Sequence, residues 1–133
     1  MLLLPSCVDK LSQREDDMRV LVVEDEPLVA IHIATILERG GHEIAARAGT
    51  ADEVIRLLNV VACEVAVVDA NLAGSSSAPV ATALATRRIP FVVVSGYPQR
   101  DLILPLRDAP FVPKPVESGD LLAAIEGLTT PVA

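Results

Sequence analysis

The chain alternates short apolar runs with longer stretches in which apolar residues recur at helical spacing. Continuous apolar runs bounded by Gly, Pro or polar residues are typical of strands that are buried on both faces of a sheet. The runs that predict five strands cover residues 19–23, 42–48, 64–70, 90–96 and 110–115. The segments that predict helices cover residues 27–39, 51–60, 78–88 and 118–128. The pattern therefore predicts strands and helices in alternation.

The ends of the predicted helices carry their own signals. Pro27 suits a first helical turn, because an N–H at that position would have no partner within the helix, and Gly40 marks the end of the same helix. Thr50 and Glu53 have the spacing of a capping box for the second helix. Ser118 is placed to cap the last helix. These signals support the helices independently of the apolar spacing.

Strands that alternate with helices form a parallel sheet covered on both faces. We predict a flavodoxin-like (βα)5 three-layer sandwich, with a five-stranded parallel sheet in the order 2-1-3-4-5. In this order the first and third strands lie side by side at the topological switch point, where ligands bind beside the carboxyl ends of the strands. Glu24 and Asp25 end the first strand and Asp69 ends the third. A functional site is therefore expected around these three acids.

The segment between the fourth and fifth strands fits a regular helix poorly. It contains Pro98, Pro105 and Pro110. Because proline lacks an N–H and clashes with the preceding helical turn, Pro98 and Pro105 leave room for only one or two turns. We therefore predict that the fourth helix is short or irregular.

The first residues differ from the rest of the chain. The apolar run in "MLLLPSC" is too short for a signal peptide or a membrane span, and the polar residues that follow it lack a clear apolar period. We expect residues 1–17 to be a disordered N-terminal extension, with Met18 as an alternative start. Residues 18–129 are expected to form one domain, and residues 130–133 a C-terminal tail.

Composition narrows the class of partner. The formal net charge is −7, which argues against binding of nucleic acid or of an anionic membrane by the domain itself. Cys7 and Cys63 fit no metal or redox spacing. Because no secretion signal is visible, we expect a cytoplasmic protein with reduced thiols.

The acids at the strand ends predict a cation. Glu24, Asp25 and Asp69 would repel one another in one crevice unless a cation joined them, and hard oxygen ligands are those that Mg²⁺ prefers, with Mn²⁺ as an alternative ion. The same strand ends supply the hydroxyl of Ser95 and the ammonium of Lys114, the only lysine after residue 17. A metal, an ammonium and a hydroxyl around one carboxylate are typical of a phosphoryl-transfer site in which the carboxylate is the nucleophile.

Four motifs, in this order, resemble a known family. "VLVVEDEP", "VAVVDANLAG", "VVVSGY" and "PFVPKPV" are similar to motifs of the response-regulator receiver domain of two-component signalling. The resemblance covers residues 18–128. The stretch "IPFVVVSGY" is further similar to stand-alone receivers of alphaproteobacteria.

The resemblance implies roles at the acidic crevice. Asp69 would be the phosphoacceptor, and Asp25 and Asp69 would ligate Mg²⁺ together with the backbone carbonyl of Asn71. Glu24 would act on the metal through a bound water. Lys114 would pair with the phosphoryl group.

Further positions follow from the same resemblance. Ser95 would hydrogen-bond the phosphoryl group as the switch hydroxyl, and Phe111 would occupy the aromatic switch position. Asn71 and Tyr97 would tune dephosphorylation. The Lys114–Pro115 peptide bond would be cis. Since Phe111 lacks the hydroxyl of the more usual tyrosine, its coupling to Ser95 would rest on packing alone.

The resemblance also implies the activity and the partners. The chain would be a single-domain response regulator that catalyses only its own phosphoryl transfer and dephosphorylation. Its phosphoryl donor would be a sensor histidine kinase or a histidine phosphotransfer protein, docked near the first helix and Pro115. It would signal through a downstream protein target or serve as a phosphoryl sink, as a monomer or a weak homodimer.

Three alternatives remain beside this interpretation. A receiver-like interaction module with vestigial phosphorylation is favoured by the irregular region between residues 98 and 110. A small phosphohydrolase that forms an aspartyl phosphate would also use a strand-end Asp, but that class needs a second Asp where this chain has Asn71. A nucleotide-binding flavodoxin-like protein has the least support, because no glycine-rich loop follows the first strand.

Three other polar residues are predicted to lie outside the site. Glu26 is expected to complement the dipole of the first helix. His32 shares a mixed helical face with Leu28 and Thr35, which predicts an ordinary surface histidine. His42 is expected only to open a weak strand.

Overall fold

The computed structural model describes residues 17–129, which form a three-layer α/β sandwich. Five parallel strands form the central sheet in the order β2-β1-β3-β6-β7, and a separate two-stranded sheet pairs β4 with β5. The strands are β1 (Arg19–Val23), β2 (Glu43–Ala48), β3 (Val65–Asp69), β4 (Asn71–Leu72), β5 (Ser75–Ser76), β6 (Phe91–Ser95) and β7 (Phe111–Pro113). The predicted flavodoxin-like fold and strand order are confirmed.

Four α-helices cover the sheet, and they are α1 (Pro27–Arg39), α2 (Ala51–Leu58), α3 (Ala78–Thr86) and α4 (Ser118–Thr129). The capping box forms with one change of partner. Thr50 Oγ1 accepts from the Glu53 N–H at 3.1 Å, whereas the Glu53 carboxylate accepts from the Gly49 N–H at 2.9 Å. Ser118 is the first residue of α4 rather than its cap, since the Leu121 N–H already donates to the Glu117 carbonyl.

The apolar runs of the central strands fill both sides of the sheet. All five residues of β3 are buried, as are the last four of β1 and of β6. On one side the strands pack against α1 and α4, and on the other against α2 and α3. Burying a Val or Leu side chain contributes about 1.5–3 kcal/mol, so the aliphatic strands account for most of the core despite the scarcity of aromatic residues.

The connection between β6 and β7 contains no α-helix, in agreement with the prediction from its prolines. It forms two short 3₁₀ turns, Gln99–Asp101 and Leu106–Asp108. Leu102 and Leu106 are nonetheless buried, in a cluster with Ala81, and they cover the sheet where a helix would otherwise lie. The sheet is therefore closed on this side by two leucines rather than by a helical face.

A β-hairpin that the sequence did not predict follows β3. Asn71 and Leu72 pair antiparallel with Ser76 and Ser75. The two turn residues, Ala73 and Gly74, have φ values of 51° and 83°. Positive φ at both central positions is typical of a two-residue type I′ hairpin turn, in which glycine is the favoured residue. Leu72 is buried and anchors the hairpin to the core.

His42 has a structural function that the sequence did not suggest. Its side chain is buried, and Nδ1 lies 3.1 Å from the backbone N of Met18, from which it accepts a hydrogen bond. It therefore ties the residue before β1 to the start of β2.

The predictions for residues 1–16 and 130–133 lie outside the described residues. Among residues 17–129, no helix has the length and apolar character that crossing a bilayer requires.

Candidate functional site

Three carboxylates meet where β1 and β3 end. The two strands are neighbours, with Val23 level with Val68, so the residues that follow emerge at one edge of the sheet. One carboxylate oxygen from each of Glu24, Asp25 and Asp69 lies within 4.8 Å of the others. Glu24 and Asp69 are buried, whereas Asp25 is more exposed. The structure thus brings together the three acids that the sequence placed at strand ends.

Lys114 projects into this acidic cluster from the residue after β7. Its Nζ lies 2.8 Å from Oδ2 of Asp69 and 3.0 Å from Oε1 of Glu24. The Lys114 N–H donates to the Ser95 carbonyl at 2.8 Å, which fixes the backbone of Lys114 at the end of β6. The Lys114–Pro115 peptide bond is cis. One ammonium is therefore shared between two buried carboxylates.

Burial makes the charge on Glu24 costly. Desolvation, together with contact with Asp69, raises the pKa of Glu24 to about 7, although contact with Lys114 and the Glu26 N–H opposes this rise. Burial alone would lower the pKa of Lys114, but its hydrogen bonds to Asp69 and Glu24 raise it overall. The single ammonium therefore compensates the acidic cluster only in part.

Two backbone amides fix the second carboxylate oxygens of Asp69 and Glu24. Oδ1 of Asp69 accepts from the Asn71 N–H at 3.0 Å, and Oε2 of Glu24 accepts from the Glu26 N–H at 3.2 Å. Each bond spans two residues, so the turn after each strand orients the carboxylate at that strand's end. Oδ2 of Asp69 is left facing Lys114.

Ser95 ends β6, which pairs with β3. It is buried, and its Oγ accepts from the Tyr97 N–H at 2.9 Å. Tyr97 itself is 60% exposed. Phe111 is half-buried and packs in the apolar cluster that contains Leu102 and Leu106. The roles of Ser95, Tyr97 and Phe111 in switching and dephosphorylation stay predictions.

Comparison of this chain with known protein families and structures identifies its family. The family model described as "Response regulator receiver domain" matches residues 20–126. The chain belongs to this receiver-domain family. The fold and the family resemblance predicted from the four motifs are thereby confirmed.

Several receivers are similar in sequence or in structure. The transcriptional regulatory protein PdtaR of Mycobacterium tuberculosis is 34% identical over 112 residues, which cover 81% of this chain and 55% of PdtaR. The crystal structure of PhyR from Brucella abortus is 31% identical with a TM-score of 0.74, covering 92% of this chain and 51% of that one. The solution structure of SdrG from Sphingomonas melonis Fr1 is 32% identical with a TM-score of 0.72, and the match covers 84% of this chain and 98% of SdrG.

The extent of these matches differs. This chain spans about half the length of PdtaR and of the Brucella PhyR, but it matches nearly the whole of the SdrG structure. SdrG has also been solved in a BeF3-activated conformation, which is 32% identical with a TM-score of 0.74.

The site of this receiver opens into a cavity of about 510 Å³. Six of the predicted site residues line it: Asp25, Asp69, Asn71, Ser95, Tyr97 and Lys114. Glu24, Phe111 and Pro115 do not. Glu26, Ala73, Gly74 and Gly96 complete the wall. The sequence predicts that Glu26 lies outside the site, whereas it lines the cavity. The sequence suggests no role for Ala73 or Gly74, because only the β4–β5 hairpin brings these two turn residues to the cavity.

The chemistry of the donors fits a hard divalent cation. Receiver domains bind Mg²⁺ at an acidic pocket, and the three carboxylates offer closely spaced oxygen ligands at the edge of a cavity large enough for waters. Burial, and to a lesser extent contact with Asp69, raises the pKa of Glu24, and a cation bound beside it would favour its charged form. Asp25 and Asp69 would hold the ion, with the Asn71 carbonyl as a further predicted ligand.

His32 proves to be an exposed histidine with a specific contact. Its Nε2 lies 2.9 Å from the carbonyl oxygen of Val116, two residues after Lys114. The prediction of a surface residue is correct, but the mixed helical face did not reveal this link between α1 and the Lys114–Pro115 segment.

Proposed function

We infer that this receiver is a response regulator that accepts a phosphoryl group on Asp69 in a Mg²⁺-dependent reaction. The donor would be a histidine kinase or a histidine phosphotransfer protein. The observation that carries this proposal is the contact of Asp69 Oδ2 with Lys114 Nζ at 2.8 Å, in a carboxylate cluster that opens into a cavity. The phosphorylated chain would signal by binding a protein, or it would serve as a phosphoryl sink.

The proposed transfer moves one group between two proteins. A carboxylate oxygen of Asp69 attacks the phosphorus of a phosphohistidine, the P–N bond breaks, and its electron pair returns to the imidazole nitrogen. Lys114 neutralises a phosphoryl oxygen and Ser95 donates a hydrogen bond to another. Bound Mg²⁺ would supply charge neutralisation for the remaining oxygens.

A groove beside the site supports a helical phosphoryl donor. It lies between α1 and the segment after β7, and it is lined by Leu28, Val29, His32, Lys114, Pro115 and Val116. Leu28 is 81% exposed, and together with Val29, Pro115 and Val116 it gives the groove a largely apolar lining. An apolar groove that ends at Lys114 would place a docked histidine next to Asp69.

The output would involve the irregular segment between β6 and β7. Tyr97 lines the cavity, and Ile103 and Leu104, farther along the same segment, are more than half exposed. Phosphorylation adds about two negative charges beside this segment, so its position and the exposure of these side chains would change with the state of Asp69. The downstream target would be a protein that binds one of the two states.

The test is intact-protein mass spectrometry after incubation with Mg²⁺ and acetyl phosphate. We expect one phosphoryl adduct on the wild type and none on Asp69→Asn, which keeps the shape of the side chain. A histidine kinase or phosphotransfer protein should give the same pattern. Absence of an adduct with every donor would favour the interaction module, and BeF3⁻ should then leave binding to any partner unchanged.

A further inference from the structure

The turn of the β4–β5 hairpin forms a wall of the acceptor cavity. Ala73 and Gly74 line the cavity together with Asp69, and Tyr97 lines it from the segment after β6. Asn71, at the base of the hairpin, donates its N–H to Asp69 Oδ1. The base of the hairpin is therefore hydrogen-bonded to Asp69, and its turn lines the cavity into which Asp69 opens.

The same turn separates two cavities. A second cavity of about 240 Å³ lies on the other side, between the start of α2 and the hairpin, and Ala73 lines both cavities. The turn is held by the pairing of β4 with β5 and by the buried side chain of Leu72. At its far end, the Ser77 N–H donates to the Ala70 carbonyl at 3.0 Å. Ala73 and Gly74 are both exposed, so the turn forms the outer edge of the acceptor cavity, and Ala73 supplies the only side chain that the turn carries.

Ala73 is an unusual residue for this position. Its φ of 51° lies in the left-handed region, which glycine or asparagine adopts more readily than alanine. Among residues 17–129, Arg88 is the only other non-glycine residue with positive φ, and it lies by a groove at the opposite ends of the strands. Ala73 thus lines the cavity in spite of an unfavourable backbone conformation.

We propose that the Ala73–Gly74 turn shields the phosphoryl group on Asp69 from water and so sets the lifetime of the adduct. This inference rests on the function proposed above. The reaction that the turn restricts is hydrolysis. A water oxygen bonds to phosphorus, the bond from phosphorus to the Asp69 oxygen breaks with its electron pair returning to the carboxylate, and a proton passes to solvent. Inorganic phosphate leaves and Asp69 is restored.

Two substitutions with opposite effects test the proposal. Ala73→Gly keeps the positive φ but removes the methyl group, so it opens the wall and should shorten the half-life of the adduct severalfold. Ala73→Asn also suits positive φ and places a larger side chain at the cavity, so it should lengthen the half-life severalfold. Arg88→Gly is the matched control, because it relieves the same kind of backbone conformation away from the site and should leave the half-life unchanged.

The measurement is the decay of the adduct at constant Mg²⁺ after the donor is removed, followed by intact mass. The thermal midpoint of each variant is recorded in parallel, because a purely structural role of Ala73 would change the midpoint without opposite changes in the half-life. Equal half-lives for the wild type and both Ala73 variants would overturn this inference and leave the proposed function intact. Absence of an adduct on the wild type would overturn the proposed function, and the inference with it.

Discussion

Nζ of Lys114 lies 2.8 Å from Oδ2 of Asp69, although 45 positions separate the two residues in the chain. The same ammonium lies 3.0 Å from Oε1 of Glu24, so one cation serves two buried carboxylates. The stability of the acidic cluster should therefore depend on the Lys114 ammonium, on pH and on any metal ion that binds beside the carboxylates.

Replacement of Lys114 should expose the repulsion between the acids. In Lys114→Met, Glu24 and Asp69 lose their shared partner, and removing one member of such a buried pair should cost about 2–4 kcal/mol of unfolding free energy at pH 8. Lys114→Arg keeps the charge and should recover part of the loss. Urea unfolding at pH 8 measures both variants, and a Met variant as stable as the wild type would show that the ion pairs contribute nothing.

The raised pKa of Glu24 predicts that stability falls as pH rises. In the unfolded chain Glu24 titrates near its ordinary value of 4.5, and in the folded chain at about 7. The folded state therefore holds a proton that the unfolded state has released, and unfolding free energy should decrease between pH 4.5 and 7 by roughly 2–3 kcal/mol in metal-free protein. The contribution of Glu24 to stability should be greatest below this range.

Glu24→Gln isolates this effect. The amide cannot ionise, so the decline between pH 4.5 and 7 should disappear or become much smaller in urea unfolding with a chelator present. A variant whose pH profile overlays that of the wild type would assign the decline to another group.

Magnesium should stabilise the folded chain if the acidic cluster holds it. An ion at about 100 times its dissociation constant adds roughly 2.7 kcal/mol through binding to the folded state alone. We expect the thermal midpoint at pH 7.5 to rise with MgCl₂ and the rise to be lost in Asp25→Asn. Glu43→Gln, a change of equal charge away from the site, is the control, and an equal rise in all three proteins would indicate nonspecific ionic screening.

The buried leucines of the irregular segment should contribute more than its exposed residues. Leu106 is 1% exposed and Ile103 is 56% exposed, although both lie between the same two strands. Leu106→Ala should destabilise the fold by about 2–4 kcal/mol because it leaves a cavity under the sheet's cover. Ile103→Ala should change stability by less than about 0.5 kcal/mol. Similar values in urea unfolding would mean that this segment does not pack as a unit with the sheet.

Several site residues could be predicted because they follow from the positions of strand ends. Continuous apolar runs indicate that β1 and β3 are buried parallel strands, and neighbouring parallel strands bring their carboxyl ends to one edge. The sequence by itself therefore predicts that Glu24, Asp25 and Asp69 lie together. It does not predict the turn of the hairpin, because a Gly/Ser-rich loop has no apolar period from which its path could be inferred.

Local sequence thus determined the order of strands and helices, the irregular connection rich in proline, and which acids stand at strand ends. The tertiary structure alone decided that one ammonium, Lys114, contacts both Glu24 and Asp69. It also decided that His32 and His42 bind distant backbone groups and that Ala73 lines the cavity. These contacts join residues remote in sequence. They depend on how packed elements approach one another, whereas periodicity and capping depend only on residues a few positions apart.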